Sequence, residues 1–113
     1  MDIKELTNRV IAFRDARDWS QFNNPKDTAL SLVLESTEVL EHFQWKNGKE
    51  IDEYIKNNKK QIEKELADVL YWVLLMSKDM AIDISNSLIE KISENEKKYP
   101  VDKFKGIAKK YNK

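Results

Sequence analysis

At 113 residues the chain is expected to form a single domain, long enough for a core and short enough that association with copies of itself would help cover it. Its 20 basic and 20 acidic side chains cancel, which removes the broad positive field that draws proteins to nucleic acid, so any anionic ligand must be held locally. Cysteine is absent and no apolar leader precedes a cleavage site, which argues against export and for a cytoplasmic protein; the longest strongly apolar run, Val69 to Met76, is eight residues and cannot span a bilayer.

Two Gly and two Pro leave little punctuation among abundant Glu, Lys, Leu and Ile, so the composition predicts an all-α fold. A first helix is expected from about Ile3 to Arg17, with Leu6, Val10 and Phe13 on one stripe, followed by a turn near Asp18 to Asn24. Asn24 before Pro25 reads as a helix start, and the second helix continues to about Trp45, where Asn47-Gly48 stops it. A third helix is expected from around Ile51 to about Ala81, with a break near Asn57-Asn58 and a core face of Ile62, Leu66, Val69, Val73, Met76 and Met80. Ser85 could cap a fourth helix reaching about Lys98, after which Pro100 ends it and a basic tail follows, broken at Gly106.

The chemistry lies in two acidic pairs, Glu35 with Glu38 and Glu65 with Asp68, each separated by three positions and so projecting from one face of its helix. Both pairs sit in Leu- and Val-rich segments. Carboxylates that converge on a helical core repel one another and take up protons unless a cation compensates them. With no thiol and one imidazole in the chain, an all-oxygen set suits Mg2+, with Mn2+ as a substitute. The first pair extends into a row of Glu35, Glu38, His42 and Trp45, and the second into Glu65, Asp68 and Trp72, so the two rows together would line a pocket. Lys91, Asn95 and Lys98, followed by Tyr99, form either an ordinary wet face or a set of donors for an anion, a chemistry that Lys109, Lys110 and Tyr111 repeat. From the residues alone Trp45 and Trp72 read as core residues rather than ligand contacts, and His42 as a hydrogen-bonded surface group without a catalytic role.

Glu35-Ser36-Thr37-Glu38, twenty-six intervening residues, then Glu65-Leu66-Ala67-Asp68 resembles the E-x-x-E and E-x-x-D metal motifs of the MazG-like all-α nucleoside triphosphate pyrophosphohydrolases. Arg17-Asp18-Trp19-Ser20-Gln21-Phe22, Glu41-His42-Phe43-Gln44-Trp45, Asp68-Val69-Leu70, Asn95 through Tyr99-Pro100, and Lys110-Tyr111 resemble the dCTP-hydrolysing branch of that family in order and approximate spacing. The resemblance implies a four- to five-helix oligomeric bundle that binds a nucleoside triphosphate; the wide apolar stripes of the second and third helices, more than a lone chain can cover, point to a dimer or tetramer. It implies attack by water between the α and β phosphates, releasing a monophosphate and pyrophosphate, as a housecleaning step in the nucleotide pool. It makes Glu35, Glu38, Glu65 and Asp68 the magnesium ligands, Trp19 and Trp45 contacts to the base, and Lys91, Asn95, Lys98 and Tyr99 holders of the triphosphate. Lys110 and Tyr111 match a tail that reaches a neighbouring subunit's site. Glu38 or Glu41 would orient or deprotonate the water, and sequence does not separate ligand from base.

The chain has Leu34-Glu35 where the wider family often has two adjacent glutamates, a form the dCTP-like branch shares. It also carries Val10 where some dCTP-hydrolysing relatives place a base-contacting His, and Trp72 where they place a Tyr near the sugar. Base and sugar preference therefore stay open between dCTP, a modified pyrimidine relative and a broader range including dATP or dUTP. A redox di-metal bundle needs two Glu-x-x-His elements and fails on the single histidine. A non-catalytic helical interaction module would make the acids a solvated face.

Overall fold

The helices begin where short polar side chains can satisfy free backbone amides. A computed structural model describes residues 1–108, and among them every regular element is helical. Helix α1 spans Ile3–Ala16, its amide at Glu5 donating to the Asp2 carboxylate at 2.8 Å. A 3₁₀ turn follows at Ser20–Phe22, and α2 then runs Pro25–Glu41. Asn24 caps α2 by accepting from the Asp27 amide at 2.9 Å, and Pro25 takes the first helical position, where a missing N–H costs nothing. Helix α3 spans Lys49–Asp79 with a non-helical residue inside it at Asn58, the position where the sequence predicts a break. The Asn58 side-chain amide donates to the Tyr54 carbonyl at 3.0 Å, replacing part of the interrupted ladder.

These elements make one compact unit, Met1–Ala81. Helices α2 and α3 form its main packing pair and run antiparallel: Thr28 shares a cavity with Met76, whereas at the other end His42 meets Tyr54. Helix α1 lies against the C-terminal half of α3, where Phe13 meets Tyr71 edge-on and Arg14 donates to Asp79 at 2.6 Å. A second unit begins at Ile82 and holds α4, Ile84–Lys98, and the single turn α5, Val101–Phe104. Phe104 of α5 packs edge-on against Tyr99.

Four expectations need correction. Helix α2 ends at Glu41, not near Trp45: the amides of His42 and Phe43 reach back three residues, to Val39 and Leu40, and after one four-residue bond from Gln44 to Leu40 the helical pattern stops, so residues 42–45 wind as turns. The buried residues of α3 are Leu74, Leu75 and Ser77, whereas Leu66 is 53 % exposed and Met80 is also exposed. Burial depends on which flanks α1 and α2 cover, and they close over α3 at its C-terminal half. Asp83, not Ser85, caps α4, its carboxylate accepting from the Asn86 amide at 3.1 Å. The start of the basic tail is helical in α5.

Candidate metal centre

Midway along the α2–α3 pair the two acidic motifs face each other. One carboxylate oxygen from each of Glu35, Glu38, Glu65 and Asp68 lies within 4.8 Å of all the others. Three-residue spacing on each helix places both members of a pair toward the opposing helix, and antiparallel packing brings the pairs to the same height. Glu35 and Glu65 are half-buried and Glu38 and Asp68 are exposed, so the cluster grades from protein toward solvent.

The electrostatic strain is legible in the acids themselves. Burial, followed by the charges of Glu38 and Asp68, pushes the Glu35 carboxyl above its ordinary range. Glu65 is raised chiefly by a hydrogen bond shared with Glu38, then by burial and by the Glu38 and Asp68 charges. The buried Oε2 of Glu35 has no hydrogen-bond partner. An unpartnered buried carboxylate oxygen in a set of converging hard oxygen donors fits a divalent cation of the magnesium type.

Glu38 and Glu65 also border an open cleft of about 430 Å3 lined with Glu41, His42 and Tyr54. Glu41 therefore stands beside the quartet without belonging to it. His42 hydrogen-bonds the Tyr54 hydroxyl through Nδ1, and its Nε2 lies 4.0 Å from Glu65 Oε1. Tyr54 carries no signal in a motif search. Its one sequence trace is its place eleven residues before Glu65, about three helical turns and so nearly the same face.

Each of the remaining expected residues has its own surroundings. Because α2 ends at Glu41, Trp45 leaves the row of Glu35, Glu38 and His42; it stands 82 % exposed in the connecting turn. Trp72 is half-buried against Tyr71, and Trp19 is exposed with its ring edge-on to Phe13. Lys91, Asn95, Lys98 and Tyr99 belong to the second unit. There Lys91 and Lys98 both pair with Glu94, at 3.6 and 2.9 Å, which holds the Glu94 carboxyl below its ordinary range. Lys110 and Tyr111 lie outside the described residues.

Comparison with known proteins gives this geometry a context. Residues 30–113 match the MazG-like family. The chain is 35 % identical over 111 residues to dCTP pyrophosphatase 1 of Rattus norvegicus and 29 % to that of Homo sapiens, in both cases covering 96 % of this chain and 65 % of the relative. It therefore spans about 65 % of the length of the curated relatives it matches. A solved structure of a pyrophosphatase from Archaeoglobus fulgidus superposes with a TM-score of 0.82 at 36 % identity, covering 86 % of this chain and 91 % of that one. The matched stretch contains both acidic pairs that the α2–α3 packing gathers, and the chain belongs to the MazG-like family.

Proposed function

We propose that this chain is a magnesium-dependent nucleoside triphosphate pyrophosphohydrolase that splits a deoxynucleotide, dCTP or a modified pyrimidine relative, between its α and β phosphates. The observation that carries the proposal is the carboxylate quartet with its unpartnered Glu35 oxygen. The names of the rat and human relatives support the choice of dCTP. Glu35, Glu38, Glu65 and Asp68 would hold the cation. When bound, magnesium supplies charge neutralisation at the phosphate oxygens.

The rest is work for the chain's own residues. Glu41, which borders the cleft yet lies outside the quartet, takes the role of accepting the proton of the attacking water, and Glu38 is the alternative acceptor. Trp19, Trp45 and Trp72 are proposed for the base and sugar. Lys91, Asn95, Lys98, Tyr99, Lys110 and Tyr111 are proposed for the triphosphate, where cations stabilise the departing pyrophosphate.

A panel of nucleoside triphosphates assayed for pyrophosphate release with and without Mg2+ tests the reading. Preferential, magnesium-dependent release from dCTP or a modified pyrimidine triphosphate is expected. Comparable rates on dATP and dUTP would leave the reaction standing and defeat the narrower substrate, and release of orthophosphate in place of pyrophosphate would defeat the reaction.

A further inference from the structure

His42 is poised between two stretches of α3. It closes α2, and its side chain is only 12 % exposed. Its Nδ1 engages Tyr54, which precedes the irregular residue Asn58, and its Nε2 faces Glu65, which follows it. We infer that His42, oriented by Tyr54, is a positioning residue for the Glu65 carboxylate in the cation site. The inference rests on reading the quartet as that site.

The tautomer follows from what each neighbour can offer. A neutral imidazole has one N–H and one lone pair, a tyrosine hydroxyl can donate or accept, and an ionised carboxylate only accepts. If Nδ1–H donated to Tyr54, the lone pair on Nε2 would be turned toward the Glu65 carboxylate. If Tyr54 donates to Nδ1, Nε2 carries the proton and presents an N–H to Glu65 Oε1. Only the second arrangement gives both contacts the right sign. At 4.0 Å the Nε2–Oε1 separation is longer than a hydrogen bond, so the attraction orients the carboxylate while leaving its oxygens available to a cation. Glu65 has to hold its direction among three other carboxylates, an oxygen of each of Glu35, Glu38 and Asp68 lying within 4.8 Å of its own. A second polar group that sets the direction of a ligating carboxylate is how metal sites hold their ligands in place.

A purely structural role is the competing account. The His42, Phe43 and Tyr54 rings are in mutual contact, and the Lys46 ammonium lies 4.2 Å over the Tyr54 ring, so this cluster also fastens the end of α2 to α3. The two roles separate in cation affinity measured on folded protein. Mn2+ serves as the probe, its free concentration read by electron paramagnetic resonance, with thermal unfolding in chelator as the control for folding.

For the full chain, His42→Leu is expected to weaken Mn2+ binding by ~10–100-fold, the range for losing a group that orients a metal ligand. His42→Gln, whose amide N–H can reach where Nε2–H does, should recover most of that loss. Tyr54→Phe keeps the ring and removes only the hydroxyl, so it should unfold like the parent in chelator yet bind Mn2+ more weakly, by no more than the ~10-fold lower end of that range because it acts through His42. Binding by His42→Leu and Tyr54→Phe within about twofold of the parent would overturn the inference. So would His42→Gln binding no better than His42→Leu, since the loss would then lie in ring packing. Should His42→Leu fail to fold, Tyr54→Phe decides alone: weaker binding supports the inference and unchanged binding overturns it. A parent chain that binds no Mn2+ would bring down the cation site itself and this inference with it, whereas a parent that binds beside unaffected variants brings down this inference only.

Discussion

Glu35 carries an unusual load for a single side chain, with one oxygen buried and unpartnered and three other carboxylates close by. Folding raises its proton affinity and that of Glu65, so over the pH range above the ordinary value of 4.5 the folded chain binds protons that the unfolded chain has released. The stability these groups provide is therefore fully present below 4.5 and is lost as pH rises through their raised values. In chelator, thermal stability should fall across that interval, and Glu35→Gln should flatten the fall, leaving the variant more stable than the parent near neutrality. Melting curves of both proteins across pH check this, and parallel pH profiles would contradict it. The quartet was readable in sequence because two three-residue spacings on helices fix which side chains share a face. The His42–Tyr54 contact was not, because it depends on where α2 ends and on the irregularity at Asn58, neither of which places a particular tyrosine.

Between elements, the buried residue of α1 is a charged one. The Arg14 side chain is 8 % exposed and pairs with Asp79 of α3, 37 % exposed, and with Asp15 at 3.0 Å. Removing the two partners of the α1–α3 pair should have unequal effects. Asp79→Ala leaves a buried guanidinium with Asp15 as its remaining carboxylate and should cost about 1–3 kcal/mol, less than a fully stranded buried charge. Arg14→Met keeps much of the apolar volume and leaves Asp79 free to hydrate, so it should cost distinctly less. Denaturant unfolding of the two variants measures the difference, and equal losses would contradict it. The Asn24-Pro25 start and the break at Asn58 were legible because local chemistry decides them. The end of α2 was not, since no breaking residue stands between Glu41 and Asn47. The core of α3 was only partly so, because periodicity marks an apolar stripe at Leu66 and Met80 without saying that α1 and α2 leave them uncovered.

At the scale of the whole molecule, Leu30, Val33, Leu34 and Leu40 of α2 are all more than half exposed, and Leu66 and Leu70 of α3 are exposed as well. Helical spacing gathers Leu30, Val33 and Leu34 on one side of α2, an apolar surface that a lone chain of this size would expose to water. Light scattering at micromolar concentration should therefore report a mass at least twice 13.4 kDa, a dimer or a tetramer, and Leu34→Glu should lower it. A parent that scatters as a monomer would contradict the oligomeric reading. The proposed function assigns the four gathered carboxylates to magnesium-dependent pyrophosphate release. Its most direct test is magnesium-dependent pyrophosphate release from dCTP by the parent, Glu38→Gln and Asp68→Asn side by side. The account predicts turnover by the parent and a loss in each variant beyond the ~100-fold that removing a merely orienting group can cost, and turnover within a few-fold of the parent in both variants would contradict it.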